Sequence, residues 1–141
     1  MIVADSSFVV EGLLNGQAEF EADRFLAPDL LIHEVSNALF VQHRILHRIP
    51  DGLPYLKRLF EAIASDSLIL VPSSRELARE TYEIASRTGA AVYDCVFIAL
   101  ALQNGMQLRT LDSMQTQIFE AEKRRHRTTA PSGSEEEARR D

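Results

Sequence analysis

Apolar and polar positions fall into blocks along this chain, and the period changes from block to block. Residues 2–4 (IVA) form a short apolar run that ends on Asp5, the pattern of a buried strand. Residues 6–14 read as a helix closed by Asn15-Gly16. Residues 25–27 (FLA) are a weaker strand candidate, stopped by Pro28. Residues 29 to about 44 take helical spacing, with Leu31, Val35 and Ala38 along one side. Glu34 and Asn37, three apart, share another face of that helix. Pro50-Asp51-Gly52 marks a turn, and residues 53–64 form a further amphipathic helix striped by Leu56, Leu59, Phe60 and Ile63. The clearest strand is LILV at 68–71, closed by Pro72. Ser73 or Ser74 caps a helix running to about Arg87, which Thr88-Gly89 ends. Residues 93–103 are apolar nearly all round, which predicts a central, buried helix stopped by Asn104-Gly105. A strand is expected over 107–111 and a last helix from Ser113.

Strands alternating with helices predict a parallel sheet covered on both faces, an α/β fold of three αβα layers with four to five strands. The folded unit is expected over residues 1–123. From Arg124 the sequence turns polar (RRHRTTAPSGSEEEARRD), so residues 124–141 are expected to be a disordered tail. A length of 141 residues with 45% apolar content suits one domain with one core. No apolar run approaches the roughly 20 residues that span a bilayer, and the start, MIVADSS, has no basic region of a secretory signal. Cys95 is the single cysteine, which excludes an internal disulfide framework and fits a reducing compartment, so a cytoplasmic location is expected.

Four acids stand where apolar segments change character: Asp5 in IVADSS, Glu34 in LLIHEVSNAL, Asp94 in VYDCVFIALA and Asp112 in LRTLDS. A carboxylate embedded in apolar surroundings is costly unless something compensates it. A divalent cation would compensate all four at once. Mg²⁺ and Mn²⁺ are hard ions that prefer carboxylate and water oxygens, and one or two of them would suit this set. In parallel α/β folds, ligands bind beyond the carboxyl ends of the strands. Asp5 and Asp112 each follow a predicted strand and project from the same edge of the sheet. The competing explanation for Asp5, Asp94 and Asp112 is helix capping, since each precedes a predicted helix. Taken singly, each is better explained as a cap; their company favours the metal.

The net charge is −6, and from residue 120 onward six bases offset six acids, so residues 1–119 carry the whole deficit. Nucleic-acid binders are more often basic. Assigning four acids to metal softens that objection, because a bound cation inverts the local electrostatics.

Four segments in order, VADSSFVV, APDLLIHEVSNAL, VYDCVFIALALQNGMQL and RTLD, make residues 1–119 resemble a PIN-domain nuclease of the VapC-like toxin type. The resemblance implies that Asp5, Glu34, Asp94 and Asp112 are catalytic metal ligands, with Ser7, Asn37 and Thr110 as polar supports. It implies metal-dependent endoribonuclease activity leaving a 5′-phosphate and a 3′-hydroxyl. It further implies a homodimer and a cognate antitoxin that inserts a segment near the active site. One departure is visible: the family's final strand has no clear apolar run here.

His43, Arg44, His47 and Arg48 form a basic cluster at helical i, i+4 spacing, in which Arg44 and Arg48 are candidate RNA contacts. A solvated helix end explains the same cluster, and no cysteine pair or third nearby histidine makes a zinc site of it. The basic run 123–127 has the same two explanations. Leu39, Phe40, Val41, Leu53, Leu56 and Phe60 offer more apolar surface than one sheet face needs, which suits a dimer or an antitoxin groove as well as ordinary packing. Cys95 reads as a small core residue. The competing functions are an inert scaffold or protein-binding module on the same fold and, less favoured, an aspartate-dependent phosphatase. The phosphatase needs a second aspartate at position 7, which is serine. Phosphate-cradling Gly-rich loops are absent.

Overall fold

The computed structural model describes residues 1–16 and 23–129. Its sheet is built from β1 (Ile2–Ala4), β2 (Phe25–Pro28), β3 (Leu68–Val71) and β4 (Leu108–Arg109). All pairings are parallel and the order is β3-β2-β1-β4. The helices are α1 (Ser6–Asn15), α2 (Leu31–Phe40), α3 (Leu53–Ala64), α4 (Arg75–Thr88), α5 (Val92–Gln103) and α6 (Ser113–Thr129). Helices α1, α2 and α3 pack together, while α4 and α6 pack on α5, which lies against β1, β2 and β4. This is the expected three-layer α/β architecture, with four strands among the described residues.

The order of the strands decides where a site can form. From β1 the chain steps outward through β2 to β3, then returns past β1 to add β4 on the other side. The winding therefore reverses between β1 and β4. In such sheets, that reversal opens a crevice at the carboxyl ends of the two strands. Asp5 directly follows β1, and Thr110 and Asp112 follow β4.

Local chemistry accounts for the element boundaries. Gly16 at φ 60° and Gly89 at φ 74° close α1 and α4 in the left-handed conformation that glycine adopts without strain. The Ser74 hydroxyl accepts from Leu77 N at 3.1 Å and starts α4. Helix α5 buries Cys95, Phe97, Ile98, Ala99, Leu100 and Ala101, which explains its nearly continuous apolar sequence. Cys95 is a core residue, as expected, and burial pushes its thiol up.

Three boundaries differ from expectation. Helix α2 ends at Phe40 and passes into a wide π turn, Val41–Ile45, after which His47 sits at φ 53°. The basic cluster is therefore not an i, i+4 stripe on one helix. Strand β4 spans two residues rather than five, because only Leu108 and Arg109 pair with β1. Helix α6 continues to Thr129, past the residue where the polar tail was expected to begin. Contacts with α4 fasten it: Arg87 Nη2 lies 2.9 Å from Glu122 Oε2, and His126 Nε2 lies 3.1 Å from Glu80 Oε1. The expected tail from residue 130 onward lies outside the described residues. Among the described residues, no single helix is long and apolar enough to cross a membrane.

Candidate active site

Asp5 is the buried centre of the β1/β4 crevice, at 3% exposure. Its Oδ1 accepts from Phe8 N at 3.1 Å, which caps α1, and from the Ser7 hydroxyl at 2.7 Å. Its Oδ2 accepts from the Thr110 hydroxyl at 2.5 Å. The same two hydroxyls accept from the chain that leaves β4: Leu111 N donates to Ser7 Oγ at 3.1 Å and Asp112 N to Thr110 Oγ1 at 3.0 Å. Ser7 and Thr110 thus hold Asp5 and orient the loop that carries Asp112. Burial raises the Asp5 carboxyl above its usual value; Thr110, Ser7 and Phe8 N pull it down, and repulsion from Asp112 adds to the rise.

Asp112 is exposed, and its Oδ1 accepts from Met114 N at 2.9 Å and Gln115 N at 3.4 Å, so it caps α6. Asp94 is exposed and is not a cap. Helix α5 begins at Val92 after Ala91, which places Asp94 within the first turn, where the helix dipole favours a negative charge. Burial still raises its carboxyl, with repulsion from Asp112 and Asp5 adding to it. Glu34, half-buried on α2, is lifted furthest, to about 7, by burial and then by Asp94, against a hydrogen bond from Ser6 and with a smaller push from Asp5. The Ser6 hydroxyl reaches Glu34 Oε2 at 3.4 Å. Glu34 Oε1 is buried without a hydrogen-bond partner among the described residues.

Asp5 therefore repels Asp112, Asp94 and Glu34, and Asp94 also repels Asp112 and Glu34, so acids from α2, from α5 and from the ends of β1 and β4 share one neighbourhood. They are not a finished cage: among the described residues, no three His, Cys, Asp or Glu side chains are gathered as an ion would hold them. An orphaned buried oxygen and an all-oxygen donor set nevertheless fit a hard cation.

The sequence profile of the PIN domain matches residues 2–119. The chain belongs to the PIN-domain family. It is also similar to a protein named Ribonuclease VapC3 from Pyrobaculum aerophilum, 27% identical over 128 residues that cover 85% of this chain and 95% of that relative.

Two polar side chains of this PIN domain escaped the sequence reading. Ser6 supports Glu34 from 28 residues away; the doubled serine after Asp5 was its only sequence signal. Gln115, only 4% exposed, donates from Nε2 to the Asp94 carbonyl at 3.1 Å and places Oε1 3.4 Å from Thr110 Oγ1. Nothing in its local sequence distinguishes it from an exposed helix residue. Of the remaining candidates, Asn37 is exposed one turn beyond Glu34. Arg44 and Arg48 line a separate recess of 410 Å³ with His43, His47, Ile49 and Pro50. Arg44 lies ten residues after Glu34, beyond the end of α2 at Phe40 and within the π turn. In the 123–127 run, Lys123 Nζ stands 5.8 Å from the Phe119 ring and His126 pairs with Glu80, so part of that run is engaged within the molecule.

Proposed function

We propose that this chain is a divalent-metal-dependent endoribonuclease, the toxin of a toxin–antitoxin pair. The observation that carries the reading is the set of mutually repelling carboxylates at the β1/β4 reversal, with one buried oxygen of Glu34 left unpartnered. PIN-domain membership and the name of the Pyrobaculum aerophilum relative support it. Asp5, Glu34, Asp94 and Asp112 would hold one or two Mg²⁺ or Mn²⁺ ions. A bound ion would polarise a phosphoryl oxygen and supply an activated water. The chain's own contribution is positional. Ser7, Thr110 and Phe8 N fix both oxygens of Asp5, and the first turn of α5 carries Asp94. Ser6 and Gln115 hold Glu34 and the backbone of Asp94.

A homodimer and a cognate antitoxin are part of the same proposal. Phe40, Leu53 and Phe60 remain exposed at 54%, 67% and 47%, apolar area of the kind such contacts cover. The inert-scaffold alternative draws on the open arrangement of the carboxylates. The deciding experiment is cleavage of a pool of structured RNAs with Mg²⁺, Mn²⁺ or EDTA, wild type beside Asp94→Asn. Metal-dependent cleavage that vanishes in the variant is expected. Folded, inhibitor-free protein that neither cleaves nor binds either ion in a calorimetric titration would leave the scaffold.

A further inference from the structure

A groove of 640 Å³ opens beside the acids, between the start of α2, the first half of α4 and the start of α5. Its walls are largely apolar, with Pro28, Ile32, Leu77 and Val96 among them, and its mouth carries Tyr82 and Tyr93. Both rings are left to solvent, at 69% and 65% exposure. Two of its lining residues are chain neighbours of the acids: His33 precedes Glu34 on α2, and Tyr93 precedes Asp94 on α5. Polar groups stand at its margins in Asp29, His33 and Ser73.

We propose that this groove is a nucleobase subsite, in which a base flanking the cleaved phosphate stacks on Tyr93 with Tyr82 as the second aromatic wall. The proposal rests on RNA being the substrate. Charge gives the second argument for it. The body of the chain carries a net −6, and Arg44 and Arg48 line a recess apart from the acids. None of the described residues lining the groove is Lys or Arg, so phosphate neutralisation, the usual source of nucleic-acid affinity, contributes little within it. Aromatic stacking works without it, because every base presents a π face, and unpaired RNA bases are recognised on aromatic side chains with hydrogen bonds at their edges. An apolar slot with two exposed rings and a few polar groups at its rim has that composition.

The chain lacks tryptophan and has three tyrosines, two of them in this groove, so tyrosine fluorescence reports occupancy directly. The test titrates short single-stranded RNA into the full chain in EDTA, then measures KM and kcat with Mn²⁺, for wild type, Tyr93→Leu, Tyr93→Phe and Tyr82→Leu. The rings are exposed, so these variants keep the fold. Tyrosine quenching is expected with RNA and not with an abasic oligomer of the same length. Tyr93→Leu should weaken binding about 5- to 100-fold and act on KM more than on kcat, and Tyr93→Phe should restore it. Binding should depend only shallowly on salt. Equal RNA affinity in wild type and Tyr93→Leu overturns the proposal. So does a Tyr93→Leu protein that sediments as a smaller species with unchanged RNA affinity, which would assign the groove to a second copy. Base-dependent quenching without cleavage by either metal keeps the subsite and removes the nuclease reading.

Discussion

Asp5 and Asp94 face the same crevice from opposite environments. Asp5 is enclosed, with three donors on its two oxygens, whereas Asp94 is exposed on the first turn of a helix and is tied to the site through its backbone carbonyl. Glu34 sides with Asp5, being partly buried and hydrogen-bonded from Ser6; Asp112 sides with Asp94, being exposed. The crevice thus has a rigid half, which carries desolvated charge at a cost to stability, and an open half, which carries charge cheaply and has room to rearrange. A cation would relieve the first half and draw in the second. Stability and activity should therefore respond differently to changes in the two halves.

The largest expected effect compares Asp5→Asn with Asp94→Asn. Both should reduce kcat/KM at least about a hundredfold, since each removes an oxygen charge proposed to hold the ion. Their stabilities should diverge. Asp5→Asn removes a buried charge that also repels Asp112 and Asp94, so the metal-free protein should become more stable. Asp94→Asn also relieves repulsion with Asp112, Asp5 and Glu34, but the group is exposed and solvent screens that gain, so the stability shift should be smaller, about 0.5 kcal/mol. Urea melts in EDTA beside cleavage rates check both. Equal stability shifts would erase the distinction between the halves.

Thr110→Val comes next. It keeps the shape of the side chain but deletes the donor to Asp5 Oδ2 and the acceptor for Asp112 N. Loss of such an orienting partner typically costs about 10–100-fold in metal affinity or activity, and an unpaired buried acceptor about 1–3 kcal/mol. Calorimetric Mn²⁺ titration and thermal melts measure the two. Activity within twofold of wild type would show that Asp5 is held by Ser7 and Phe8 N alone.

The rigid half was the more legible of the two in sequence. An aspartate closing an apolar run, followed by helix-starting serines, signals both a cap and a strand end, and Asp5 is both. Asp94 misleads, because α5 starts two residues before it and only the backbone shows that the acid is inside the helix. Ser6 and Gln115 act across 28 and 21 residues, distances over which local periodicity carries no information. The same limit applies to the fold. Strands and helices with apolar stripes were readable, and so was the parallel, layered architecture. The polar end of α6 was not, because polar contacts with α4 hold it rather than an apolar face of its own. The π turn after α2 was also hidden, since its residues continue the apolar spacing that the backbone abandons.

Glu34 gives a smaller, pH-dependent effect. Its carboxyl is raised from 4.5 to about 7 in the folded protein. Between those values the folded state binds more protons than the unfolded one, so stability must fall as pH rises. The contribution is complete below about pH 4.5 and lost by about pH 7. Metal-free protein should therefore melt at lower temperature at pH 7 than at pH 5.5, and Glu34→Gln should flatten that difference. Saturating Mn²⁺ should restore the melting temperature at pH 7, because an ion that binds only the folded state stabilises it by mass action. A metal-free profile equally steep in Glu34→Gln would assign the slope to another group.

The smallest expected effect lies at the link between the halves. Gln115 joins them: Nε2 holds the Asp94 carbonyl, and Oε1 lies near Thr110 Oγ1. Gln115→Leu leaves one carbonyl without its side-chain donor at a partly open position, so it should cost about 1 kcal/mol in stability and only a few-fold in activity. Its interest is in combination. If the halves were independent, the losses from Gln115→Leu and Thr110→Val would add. The Thr110 proton goes to Asp5 at 2.5 Å rather than to Gln115 at 3.4 Å, so the direct contact between the two side chains is weak. Both residues nonetheless position the same loop and helix start, which carry Asp112. A double-mutant cycle on kcat/KM should therefore show coupling of at least about 0.5 kcal/mol, above the scatter of independent sites. Strict additivity would mean that the rigid and open halves reach the substrate separately, each set by its own strand or helix end.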